Sequence, residues 1–187
     1  MAANGQVYTH EGPKPFPTPR PLSEAEILDT IADFVQAARN AIAAGFDGVE
    51  LHGANGYLIH QFLSSNANRR TDGWGGTVEG RIRFAVEVTA ALAAAIGGDN
   101  VGLRISPGNP LHDIAEDDLE LTYKSLVARI GDLGLAYLHI MATADRELTI
   151  NMRAQWPGAL ILNPNTFPAP TGPDALSLIE DGTADLV

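Results

Sequence analysis

Short apolar segments alternate with amphipathic helical stripes along most of this 187-residue chain. No other feature constrains the fold as much, because strands separated by helices pair in parallel through crossover connections. The first helix is clearly punctuated. Ser23 stands at its N-cap and Glu26, three residues on, closes a capping box. Ile27, Ile31, Phe34, Val35, Ala38 and Ile42 fall on one face, and Gly45 fits the stop. Asp47–Leu51 reads as a short strand, and a polar, glycine-rich loop follows it to Gly76. Thr77–Ile96 reads as a second helix with Thr77 as N-cap, stopped by Gly97 and Gly98. Val101–Ile105 is the next strand. A stripe of Leu119, Tyr123, Leu126, Ile130 and Leu133 then leads to a strand at Ala136–Ile140. Gly158–Leu162 is a further strand, behind a poorly patterned segment for which helix is one reading. A short helix over Asp174–Asp181 precedes residues 184–187, which read as a strand just beginning.

Ahead of the first helix, Pro13, Pro15, Pro17, Pro19 and Pro21 alternate. They rule out a helix and discourage a central strand, so residues 1–22 read as an extended arm. The count is therefore four strands and the start of a fifth. A closed barrel of this kind has eight strands and typically ~250 residues. An open doubly wound sheet would carry a Gly-x-Gly-x-x-Gly turn, and none follows any of the strands. The expected fold is α/β, an incomplete TIM (β/α)8 barrel comprising roughly strands 4 to 7 and the start of strand 8. All of residues 1–187 belong to one partial domain.

Composition narrows the function classes. With 12 basic and 23 acidic residues the net charge is -11, which argues against a nucleic-acid partner because phosphate binding needs a concentrated basic face. There are no cysteines, and the five histidines show no paired ligand spacing, so no metal site is expected. The N-terminus lacks a charged n-region and an apolar h-region, and no apolar run approaches membrane-spanning length. The expectation is a cytoplasmic protein without membrane contact.

The stretch from Gly45 to Arg83, GFDGVELHGANGYLIHQFLSSNANRRTDGWGGTVEGRIR, resembles the signature of the Old Yellow Enzyme family. Upstream HEGPKPFPTPRPLSEAEI and downstream VGLRISP resemble that family in the same order. The resemblance covers most of the chain and is weakest from Met141 to Pro173. It implies a flavin-dependent reductase of activated alkenes, with FMN as cofactor and NADPH or NADH as reductant. The substrate it implies is a small enone or nitro-alkene.

Particular residues take roles from the resemblance. His52 follows the predicted strand and so sits at the C-terminal mouth, where barrel enzymes place their chemistry. Asn55 and Tyr57 lie just beyond in a glycine-flanked loop. His52 and Asn55 would donate hydrogen bonds to one carbonyl oxygen, binding substrate and stabilising enolate-like charge. Tyr57 would deliver a proton to the α-carbon. Arg104 would sit beside the flavin ring and stabilise negative charge on its reduced form. Taken singly, each residue also has a structural reading. His52 could be a hydrogen-bonded strand-end residue, Asn55 a turn residue or N-cap, and Tyr57 ordinary packing. Arg104 could pair with a carboxylate. Arg69, Arg70, Asp72, Trp74, Glu79, Arg81 and Arg83 suit a loop held by ion pairs beneath the site, while His60, His112 and His139 carry no motif.

Departures from the family pattern are Trp74 for tyrosine, Gly80 for asparagine, and Asn163–Phe167 in place of a glycine-rich turn. The glycine and arginine that grip the FMN phosphate in the family would lie beyond Val187. Two other readings stand beside the reductase. One is a non-catalytic half-barrel or subunit that needs a complementary chain or a homo-oligomer. The other is an aldolase-like barrel, which would need a Schiff-base lysine at a strand end; no predicted strand carries one.

Overall fold

A computed structural model describes residues 4–143, 146–166 and 168–187. A two-stranded antiparallel ribbon, β1 (Gln6–Thr9) and β2 (Gly12–Pro15), leads into helix α1 (Glu24–Ala43). Strand β3 (Val49–Gly53) is followed by α2 (Leu58–Leu63) and α3 (Val78–Ile96). Then come β4 (Val101–Ile105), α4 (Leu119–Ile130), β5 (Tyr137–Met141), α5 (Arg146–Gln155), β6 (Ala159–Asn163) and α6 (Ser177–Glu180). Strands β3, β4, β5 and β6 form one parallel sheet in chain order. Beyond β6, Leu186 makes a parallel bridge to Ile161, the beginning of a further strand. The fold is the incomplete (β/α) barrel that the alternation implies.

Three local expectations need correction. The arm is not wholly irregular, because residues 6–15 pair as a hairpin. Proline is tolerated there since both strands are edges and need only part of their hydrogen bonds. Thr9 Oγ1 donates to the Gly12 carbonyl at 2.8 Å and closes the turn. Next, the loop before α3 contains α2, a single helical segment too short for its stripe of Leu58, Ile59, Phe62 and Leu63 to show as a repeat. Finally, His52 lies within β3 rather than after it. The poorly patterned segment is helix α5, whose buried apolar residues are only Leu148 and Met152. Two such positions make too thin a stripe to read.

Strand alternation sorts side chains onto two faces. Leu51, Leu103, Ile105, Leu138, Ile140, Leu160 and Leu162 are buried against the helices. Phe84 of α3 stacks on Phe62 of α2 with centroids 4.3 Å apart, fixing the short helix to the long one. The other face is polar and carries Glu50, His52, Arg104, Tyr137 and His139. Gly102 on that face has no side chain because the Tyr137 ring lies where its β-carbon would be. In a closed barrel this face lines the interior.

The cap of α1 follows the sequence reading in full. Ser23 Oγ accepts from the Glu26 N–H at 3.2 Å, and the Glu26 carboxylate accepts from the Ser23 N–H at 2.8 Å. Arg20 and Ser23 hold the Glu26 carboxyl down to about 2. Ser23→Ala removes one of these bonds and is expected to cost about 1 kcal/mol. In a chain of this size that lowers the thermal midpoint by roughly 2–4 °C. Ser23→Asp, which keeps an acceptor, should hold the midpoint; an equal loss in both variants would contradict the cap.

Of the charged residues expected to hold the loop before α3, Arg70 lies in that loop, whereas Glu79, Arg81 and Arg83 belong to α3 itself. Arg70 pairs with Asp72 at 2.6 Å, Arg81 with Asp118 of the segment before α4 at 3.0 Å, and Arg83 with Glu87 at 2.6 Å. Trp74 is buried under the Arg83 guanidinium, 3.8 Å from its ring centroid, and its indole donates to Glu24 at 3.3 Å. That explains how tryptophan serves where the family pattern has tyrosine. Phe167 of the Asn163–Phe167 turn lies outside the described residues.

Candidate active site

Strand register brings the strand-borne candidates together. His52 on β3 pairs with Arg104 on β4, and Arg104 pairs in turn with His139 on β5, all on the polar face. The Arg104 side chain forms no hydrogen bond or ion pair among the described residues, and its Nε is buried without a partner. The nearby carboxylate of Glu50 is taken by His139, whose Nδ1 lies 2.8 Å from it. A carboxylate therefore does not answer Arg104. An orphaned guanidinium nitrogen is costly unless a polar group meets it. Burial, and then the Arg104 charge, push the His52 pKa down from 6.5, which favours a neutral ring at neutral pH.

The loop after β3 carries the other two candidates. Asn55 and Gly56 adopt left-handed conformations with φ of 58° and 76°. Such a turn strains asparagine mildly and is nearly free for glycine. A β-carbon at Gly56 would also meet the Leu111 carbonyl at 2.6 Å. The Asn55 N–H donates to Ser106 Oγ at 2.8 Å, tying the turn to the end of β4. The Asn55 side-chain oxygen accepts from Asn109 at 3.4 Å, which leaves its amide N–H groups available as donors. Tyr57 is the N-cap of α2 and is 54% exposed. Its ring lies 5.5 Å from that of His52 and packs edge-on to His112 at 5.1 Å. His112 Nδ1 donates to the Asn55 carbonyl at 2.8 Å and packs edge-on to Phe16 of the arm.

A cavity of about 320 Å³ opens beside Tyr57, walled by Val7, Phe16, His112 and Ile114. A larger one of about 560 Å³ lies between the arm and the Arg69–Asp72 segment and touches none of the four candidates. Of the four candidates, Tyr57 alone lines the smaller cavity. Sequence reasoning missed Ser106, His60 and His112 as supports of this loop. Ser106 stood inside the quoted VGLRISP block, so position beside Arg104 was the available signal. His60 and His112 act on backbone groups, which no side-chain pattern announces.

The profile of the NADH:flavin oxidoreductase / NADH oxidase family matches residues 3–149. The chain belongs to this family. A chanoclavine-I aldehyde reductase of Penicillium roqueforti is 53% identical over 125 residues, covering 67% of this chain and 34% of that protein. A probable inactive reductase of Epichloe festucae var. lolii is 51% identical over 126 residues, covering 66% and 33%. The chain thus spans about a third of the length of these curated relatives. Among solved structures, the Old Yellow Enzyme homologue of Zymomonas mobilis matches with a TM-score of 0.92 at 32% identity, covering all of this chain and 54% of that one. Morphinone reductase in complex with tetrahydroNAD matches at 0.88 and 36%, with the same coverage. Among the described residues no helix is long and apolar enough to cross a membrane.

Proposed function

We propose that this chain carries the carbonyl-binding and flavin-facing part of an FMN-dependent NAD(P)H oxidoreductase that reduces activated C=C bonds of enones or nitro-alkenes. The observation that carries the reading is Arg104: a buried, unpartnered guanidinium nitrogen on the polar face, one strand from His52. It fits an electron-rich flavin edge. FMN, when bound and reduced by NADH or NADPH, supplies the hydride for the β-carbon of the alkene. The protein's residues do the rest. His52 and Asn55 donate to the carbonyl or nitro oxygen, where negative charge grows. Tyr57 releases its hydroxyl proton to the α-carbon, which completes the saturated product. Relatives named as aldehyde reductases agree with a carbonyl substrate.

A second reading has one observation behind it. Some relatives of similar identity are named as probable inactive reductases or dehydrogenases. A chain of that kind would keep the fold, pairing with a complementary chain or a second copy, and lose the turnover.

The test is NADPH oxidation by the FMN-supplemented chain with 2-cyclohexenone as substrate. Oxidation should depend on the enone. Because the His52 pKa is lowered from 6.5, the neutral donor persists at and above pH 6.5, and His52 should contribute no inflection to the rate there. The absence of enone-dependent oxidation, or an inflection assigned to His52 at 6.5 or above, would contradict the reading.

A further inference from the structure

Beneath the Asn55–Tyr57 turn lies a buried polar cluster of His60, Glu116 and Tyr123. The His60 and Glu116 side chains are 0% and 2% exposed, and Tyr123 is fully buried. His60 Nδ1 accepts the Gly56 N–H at 3.0 Å and lies 3.4 Å from Ser106 Oγ, which accepts the adjacent Asn55 N–H. Both backbone donors of the left-handed turn are therefore met by side chains from beneath. A nitrogen that accepts carries no proton, so the ring's proton sits on Nε2. Nε2 faces Glu116 Oε2 at 3.4 Å, without the alignment of a full hydrogen bond. The carboxylate itself is fixed by the Tyr123 hydroxyl and the Gly108 N–H, each donating at 2.8 Å. Burial and then Glu116 push the Tyr123 hydroxyl pKa well up, so it remains a donor.

We propose that His60 is a positioning residue: its Nε2-protonated tautomer, oriented by Glu116, holds the Gly56 N–H and so sets the turn that presents Asn55 and Tyr57 to substrate. This rests on the carbonyl-site reading above. The physical reason is strain. Asn55 at a positive φ is mildly strained, and such a residue persists where its surroundings hold it, here through the side chains that meet the Asn55 and Gly56 N–H groups. An unmet Gly56 N–H in a buried position would release the turn. Glu116 bridges α4 and the segment after β4 to the ring, so the turn is tied to the same strand that carries Arg104. His60 touches neither substrate nor cofactor.

Isosteric swaps separate this role from plain packing. The Oδ1 of asparagine can stand where Nδ1 stands, whereas the amide of glutamine reaches only the Nε2 position. Amide hydrogen exchange read by NMR should show Gly56 exchanging about tenfold faster in His60→Gln, with β4 and β5 amides unchanged. His60→Asn should restore the protection, and the affinity of the FMN-supplemented chain for p-nitrophenolate should fall and recover with it. Unchanged Gly56 exchange in His60→Gln, or equal acceleration in both variants, overturns the proposal. Should His60→Gln fail to fold, long-range 1H–15N correlation in the unaltered chain still decides, because a protonated Nδ1 overturns it too. An unaltered chain that does not bind p-nitrophenolate refutes the carbonyl-site reading alone, since Gly56 exchange reports on His60 without it.

Discussion

Tyr57→Phe is expected to slow enone reduction by about 10²–10⁴-fold, the range for loss of a positioned general acid. The ring contacts survive the change. His52 at 5.5 Å and His112 at 5.1 Å touch the aromatic face and edge, which phenylalanine retains. Phe16 backs His112, so the ring stays oriented by packing rather than by its hydroxyl. At 54% exposure the ring is reachable by substrate from the cavity side. Only the proton is removed. Single-turnover measurements separate the halves of the reaction: nicotinamide oxidation should be unchanged while alkene reduction falls. A loss smaller than tenfold would mean that water or another acid delivers the proton.

Arg104→Ala should weaken FMN binding by about 10–100-fold, since a hydrogen bond to a charged group contributes roughly 1.5–3 kcal/mol. The apo chain should be no less stable for it. Arg104 has no ion pair to lose, and its buried Nε has no partner, so truncation removes no polar contact of the folded chain. Loss of ligand affinity without loss of stability is the signature of a group kept for binding. Arg104→Lys keeps the charge but loses the planar fork, and its affinity should fall between the two. A destabilised Arg104→Ala chain would instead mark Arg104 as structural.

Much of the fold is legible before any coordinates. Ser23 and Glu26 announce α1 because a capping box needs those residue types at that spacing, and both bonds are present. The strands over 101–105 and 137–141 are legible because their apolar residues are bounded by helix stops and glycines. What escaped was short or thinly patterned. α2 spans a turn and a half of helix, and α5 buries too few apolar residues to show a stripe. The β1–β2 hairpin was hidden by its prolines, which argue against a central strand but not against a two-stranded edge ribbon. At the site, the resemblance singled out four residues that strand register and loop packing bring to one end of the sheet. Their supports were invisible, because Ser106, His60 and His112 serve backbone N–H and C=O groups of a left-handed turn. Such bonds depend on where the chain passes, not on which residues lie near each other in it.

The most direct measurement is a visible absorbance titration of the purified chain with FMN, run in parallel on Arg104→Ala. The account predicts saturable binding with a perturbed flavin spectrum in the unaltered chain, weakened about 10–100-fold in the variant. A folded chain that leaves the flavin spectrum unperturbed, or a variant that binds FMN as tightly as the unaltered chain, would contradict it.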